Sequence, residues 1–162
     1  MAKDQKTNVM RKLDGMKIQY QEHYYTDTGA VNGVEVARVL GENADRVFKT
    51  LVTVGKSGNH YVYLVPVSAE LDLKKAASAV GEKAVSMIKS KELLGLTGYV
   101  HGGCSPIGMK KFFRTTIDVS AQNFDTIYFS GGKIGFQVQL SLEDLAKVIK
   151  FEFADLKTSS AK

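Results

Sequence analysis

The chain has 162 residues, and 22 Lys and Arg stand against 17 Asp and Glu, a formal charge of +5, with 44% apolar and 24% charged residues. That composition fits one folded domain with a full core, and it excludes disorder over most of the chain. The one cysteine, Cys104, excludes an internal disulfide and a cysteine-based zinc site. No run approaches the ~18 apolar residues of a membrane span, and the start Met1-Ala2-Lys3-Asp4-Gln5-Lys6 lacks a secretory signal's apolar stretch, so a cytoplasmic protein is expected.

Thr7 can cap a short helix carrying Val9, Met10 and Leu13, with Gly15 as its stop. Ile18 to Tyr24 reads as extended. A second helix is expected from Gly33 to Leu40, turning Val34, Val36, Ala37 and Leu40 to the core and ending at Gly41. The runs 47–54 and 60–65 are rich in β-branched and aromatic residues, and Gly55-Lys56-Ser57-Gly58-Asn59 between them predicts an antiparallel hairpin. Asp72 can cap a helix through Leu73, Ala76, Ala77 and Val80, stopped at Gly81, and a shorter helix is expected over Ser90–Leu94. Thr115–Asp118, Thr126–Phe129 and Phe136–Leu140 read as strands. Ser141-Leu142-Glu143-Asp144 has the form of a capping box opening a helix, and Phe151-Glu152-Phe153 reads as a closing edge strand. Strands outnumber helices without regular strand–helix–strand alternation. The expectation is therefore a single α+β domain over 1–162, core about 7–155, built on a mixed, mostly antiparallel β-barrel or strongly curved sheet with surrounding helices.

No phosphate loop, dinucleotide fingerprint, nucleophile elbow or His-Glu-x-x-His is present, and His23, His60 and His101 lack ligand spacing. Lys49 lies in a strand apolar on both faces. It must find an anion or reach solvent, so it reads either as a solvated lysine or as a phosphate, ribose or carboxyl contact in a cleft. Thr50 points the other way unless a bulge intervenes. Tyr99 to Gly108 is rich in glycine, which suits either a tight bend or exposed amides facing a ligand oxygen. Cys104 has only His101 near it as a base, on the opposite face of a strand, so it reads as a buried, inert thiol rather than a nucleophile. Ser130-Gly131-Gly132-Lys133 is a hairpin turn or a cavity mouth. Lys110-Lys111-Phe112-Phe113-Arg114 is either a solvated loop or a set of phosphate and base contacts.

Taken together, Val47-Phe48-Lys49-Thr50-Leu51, Leu71-Asp72-Leu73-Lys74-Lys75, Thr97 to Gly108 and Tyr128-Phe129-Ser130-Gly131-Gly132-Lys133 resemble the YbaK-type bacterial aminoacyl-tRNA deacylases. These are stand-alone relatives of the editing domain of bacterial prolyl-tRNA synthetases. The resemblance implies hydrolysis of mischarged tRNA, Cys-tRNA(Pro) above all, in trans beside prolyl-tRNA synthetase, with no metal or organic cofactor. It implies an essential Lys49 with Thr50 beside it, a pocket tyrosine at Tyr25, a backbone-contributing Gly102 with Gly103 next to it, and a pocket Ser130. It also implies that Lys110, Lys111, Arg114 and Lys133 lie near the pocket or its rim, where they can meet tRNA phosphates. Two positions depart from the family: Asn32 stands where those enzymes carry a phenylalanine, and Gln137 where they carry an aspartate. These departures keep a second reading open, a non-catalytic RNA- or nucleotide-binding module on the same fold.

Overall fold

The computed structural model describes residues 6–25, 30 and 33–158. Asn32 lies outside them. Thr7 does cap the first helix, α1 (Asn8–Gly15): its hydroxyl accepts the Met10 N–H at 3.1 Å. Val9, Met10 and Leu13 form its buried stripe. Gly15 stays inside the helix. The left-handed exit falls instead on Lys17 (φ 57°), because buried Ile18 donates its N–H to the Leu13 carbonyl at 3.0 Å and so sets where the chain turns.

Strand β1 (Gln21–Tyr24) precedes α2 (Gly33–Val39), which buries Val36 and Ala37 but leaves Val34 exposed. Helical residues advance about 100° each, so Val34 cannot share a face with both Val36 and Ala37. The expected core role of Val34 is lost for that reason.

The predicted hairpin forms as β2 (Phe48–Gly55) and β3 (His60–Pro66), in unbroken register from Phe48↔Pro66 to Val54↔His60. Asp72 caps α3 (Leu73–Val80) by accepting the Lys74 and Lys75 N–H groups, and Gly81 (φ 76°) ends it. There follow β4 (Val85–Met87), α4 (Ser90–Thr97), β5 (Arg114–Asp118), a 3-10 turn at Val119–Asn123, β6 (Ile127–Ser130) and β7 (Phe136–Leu140). Ser141 accepts the Asp144 N–H to open α5 (Leu142–Val148), and β8 (Glu152–Ala154) is an edge strand as expected.

The α+β class and the antiparallel majority stand, but the barrel does not. The strands form two sheets, ordered β4-β2-β3-β5-β8 and β1-β7-β6, and neither closes nor curls strongly. A barrel requires a continuous hydrogen-bonded ladder around its seam. Here the sheets meet at the isolated parallel bridge Val47↔Tyr128, where Tyr128 donates its N–H to the Arg46 carbonyl at 3.1 Å. The main core lies between them. Phe48, Val52, Val62, Leu64 and Ile117 of the larger sheet join Ile127, Phe129, Phe136, Val138 and Leu140 of the smaller, sealed by α1 and Leu145 of α5. On the far face of the larger sheet, Tyr61, Tyr63 and Val65 pack under α3 with Leu156.

Asp118 ties the C-terminal segment down. It is fully buried, and its carboxylate accepts the Leu156 N–H at 2.8 Å and the Ser120 N–H at 3.1 Å. Replacing it with alanine strands a buried donor, so Asp118→Ala is expected to cost about 2–4 kcal/mol in chemical denaturation. Asp118→Asn keeps an acceptor for Leu156 and is expected to cost less.

Candidate active site

Strand alternation sorts the chain into a core face and a second face. In the small sheet Ile127, Phe129, Phe136 and Val138 point into the core. Tyr128, Ser130, Gln137 and Gln139 therefore point the other way. The register places His23 opposite Gln137 and Gln137 opposite Ser130, so these three form one row across β1, β7 and β6. The bridge Val47↔Tyr128 is parallel, so two residues further on Lys49 and Ser130 leave it in the same direction and on the same side. Lys49, Ser130 and Gln137 thus share one face. Thr50 does not: it pairs with core residue Leu64, whereas Lys49 pairs with Val65 of the opposite cluster, and no bulge interrupts the register.

The Lys49 side chain is 29% exposed, and its ammonium lies 3.8 Å from the Glu70 carboxylate, itself 81% exposed. A pair this open holds the lysine weakly and leaves it available to another anion. Ser130 is buried, and its hydroxyl accepts the Gly132 N–H at 3.1 Å. That bond shapes the turn and leaves the hydroxyl proton to be donated. Gln137 is buried with its side-chain oxygen unpartnered among the described residues, as is the hydroxyl of Thr50. Such acceptors are costly to keep empty. Tyr25 is buried and reaches the same turn, donating its N–H to the Gly135 carbonyl at 2.9 Å.

The glycine segment approaches that turn from outside. A Cβ on Gly103 would come within 3.0 Å of the Ile134 nitrogen and 3.2 Å of Lys133 backbone atoms, so any side chain there would press the two backbones apart. The two glycine amides differ. Gly103 donates to the Val100 carbonyl at 2.9 Å. Gly102, exposed and left-handed (φ 91°), has no acceptor for its N–H among the described residues. Of the two amides, Gly102 keeps the open donor.

The cations divide as well. Lys133 belongs to the turn itself, its ammonium 5.7 Å from the Phe136 ring centre, and the Lys110 carbon chain runs close to Gly98. Lys111 is exposed. Arg114 is engaged elsewhere, its guanidinium donating to Glu152 at 2.9 and 3.1 Å and to the Val80 carbonyl, on the α3 side of the larger sheet. Cys104 is buried in the main core, and burial pushes its thiol up to about 12.

One group went unread in the sequence. His23 bonds the Gln139 amide at 2.9 Å and its ring lies 4.9 Å from that of Tyr128. Gln139 donates to the Thr126 hydroxyl, Arg46 donates to the same oxygen at 2.6 Å, and the Tyr128 hydroxyl donates to Glu42 at 2.6 Å. The alternation Phe136-Gln137-Val138-Gln139-Leu140 was the signal available for it. Among the described residues no group of three His, Cys, Asp or Glu side chains is placed to hold a metal ion, and no helix is long and apolar enough to cross a membrane.

The family described as "Aminoacyl-tRNA editing domain" matches residues 29–148. The chain belongs to this family, whose defining activity is that of an aminoacyl-tRNA deacylase. Among curated relatives it is 43% identical, over 155 residues, to EbsC of Enterococcus faecalis, described as a candidate Cys-tRNA(Pro)/Cys-tRNA(Cys) deacylase; the match covers 95% of this chain and 94% of EbsC. It is 25% identical to the prolyl-tRNA editing protein ProX of Acetoanaerobium sticklandii, covering 93% of each chain. A crystal structure described as a candidate trans-editing enzyme for prolyl tRNA synthetase superposes with a TM-score of 0.80 at 23% identity, over 96% of this chain and all of that one, and supports the fold.

Gly102→Ala forces a left-handed alanine and is expected to cost about 1–2 kcal/mol with the turn intact. Gly103→Ala pushes backbone against backbone and is expected to displace residues 133–134, visible as amide shifts there by NMR. The Cys104 thiol is expected to resist alkylation in the folded protein. An acid whose pKa is raised by folding stabilises the fold below its unfolded value of 9.0, so this contribution is lost as pH rises above about 9, which denaturation at pH 8 and 10 measures.

Proposed function

We propose that this chain is a trans-editing deacylase that releases the amino acid from mischarged tRNA, with Cys-tRNA(Pro) as its principal substrate. One observation carries the reading: the match to EbsC runs the length of both proteins. An aminoacyl ester is already activated, so the protein needs to orient it and stabilise charge rather than supply a nucleophile. In this reading the thiol of the bound cysteine attacks its own ester carbonyl. The C–S bond forms as the C–O bond breaks, and the thiol proton goes to the departing ribose oxygen, giving free tRNA and a cyclised product.

The residues take roles to suit. The open Gly102 amide faces the carbonyl oxygen, and the loosely held Lys49 contacts the phosphate or ribose of the terminal adenosine. The Gln137 oxygen, buried without a donor, accepts from the substrate α-ammonium. Ser130 and Tyr25 line the pocket, and Gly103 and Thr50 act through backbone and packing. Asn32, at a position where the resembled enzymes carry a phenylalanine, lies outside the described residues. No metal or cofactor is required by this chemistry. The protein would work in the cytoplasm, with a prolyl-tRNA synthetase as the natural supplier of its substrate.

Lys49→Ala is expected to lower deacylation of Cys-tRNA(Pro) by at least about a hundredfold with an unchanged melting curve. Cys104→Ser is expected to keep deacylation, because its thiol takes no part. Loss of activity in Cys104→Ser alone would assign a cysteine nucleophile, and no activity in the unsubstituted protein would assign a binding module. Alanyl- and seryl-tRNA in the same assay measure the breadth of the pocket.

A further inference from the structure

A second feature lies next to the candidate active site. A cleft of about 500 Å³ opens between the first turn of α1 and the Ser130–Gly135 turn, lined among others by Lys6, Arg11, Gly132, Lys133, Tyr99 and Phe136. Among the described residues no Asp or Glu lines it. Lys6 spends its charge on Asp14 at 2.7 Å. Arg11 and Lys133 do not. The Arg11 guanidinium bonds the Lys6 carbonyl and the Asn8 side-chain oxygen, both at 2.7 Å and both uncharged. Lys133 has only the Phe136 ring near its ammonium, and no carboxylate pairs with either cation among the described residues. Those neutral bonds hold Arg11 in place without neutralising it.

We propose that this cleft binds the phosphodiesters of a single-stranded RNA 3′ end, with Arg11 and Lys133 as the phosphate ligands. The inference rests on the editing function above and extends it to residues outside the ester pocket. Its placement supports it. Two residues, Gly131 and Gly132, separate Ser130 from Lys133, and Gly103 packs on the Lys133 backbone. An RNA chain whose terminal ester lies at Gly102 and Ser130 would therefore leave past Lys133 toward Arg11. Glycine at 132 (φ 99°), where a Cβ would meet Val9 at 2.9 Å, keeps the cleft wall close to α1. The largely buried Tyr99 and Phe136 close the floor of the cleft.

The test is binding of a fluorescent oligoribonucleotide ending in CCA, measured by anisotropy from 50 to 300 mM salt. Arg11→Gln with Lys133→Gln keeps amide donors while removing both charges. This pair is expected to weaken binding about tenfold and to lower the slope of log K against log salt by about 1.4, from 0.7 per phosphate contact on single strands. Arg11→Lys with Lys133→Arg is expected to restore the slope. Unchanged affinity and slope in the double Gln variant would overturn the proposal, as would inorganic phosphate binding as tightly as the oligonucleotide. The editing function itself is tested separately by cleavage of cysteinyl-adenosine, which carries no phosphodiester, with the unsubstituted protein.

Discussion

The contact on which the rest depends is the short parallel bridge between Val47 and Tyr128. It joins the two sheets without merging them. Because directly bridged residues face the same way, it carries the orientation of β6 onto β2. The apolar residues of both strands then close on one core, and their alternate residues emerge together on the other side. That Lys49 and Ser130 point to the same side follows from it. A full ladder at this seam would draw the sheets toward a barrel.

The second face of the small sheet is polar where a packed sheet would be apolar. His23, Gln137, Gln139, Tyr128 and Ser130 occupy it; side-chain bonds run from His23 through Gln139 and Thr126 to Arg46, and from Tyr128 to Glu42, while Ser130 bonds the Gly132 N–H. Polar groups out of water require partners, and these bonds supply them for His23, Gln139, Tyr128 and Ser130. Gln137 is the exception, with an acceptor left open. In the proposed reading a donor on the substrate, its α-ammonium, fills that acceptor.

Most elements were legible along the chain because their signals are local. Thr7, Asp72 and Ser141 cap their helices by bonds spanning two or three residues, and the hairpin declares itself by two β-branched runs around a glycine turn. Strand β4 was missed, since Val85-Ser86-Met87 is short and has only Val85 buried. The orientation of Val34 and the exit of α1 were set by partners distant in sequence. Likewise Arg11 looks like an ordinary helix-surface cation until α1 is packed beside the Ser130–Gly135 turn.

Sequence alone determined the α+β class, the caps, the central hairpin, the order of the motif blocks and the family they resemble. It also separated Lys49 from Thr50, because strand geometry has a period of two. Tertiary structure decided that the strands form two sheets, that Gly103 spends its amide on Val100 while Gly102 does not, and that Arg114 turns to Glu152 instead of the cleft. These depend on which distant backbone or side chain offers a partner. No local spacing encodes that choice; it is made when the sheets pack.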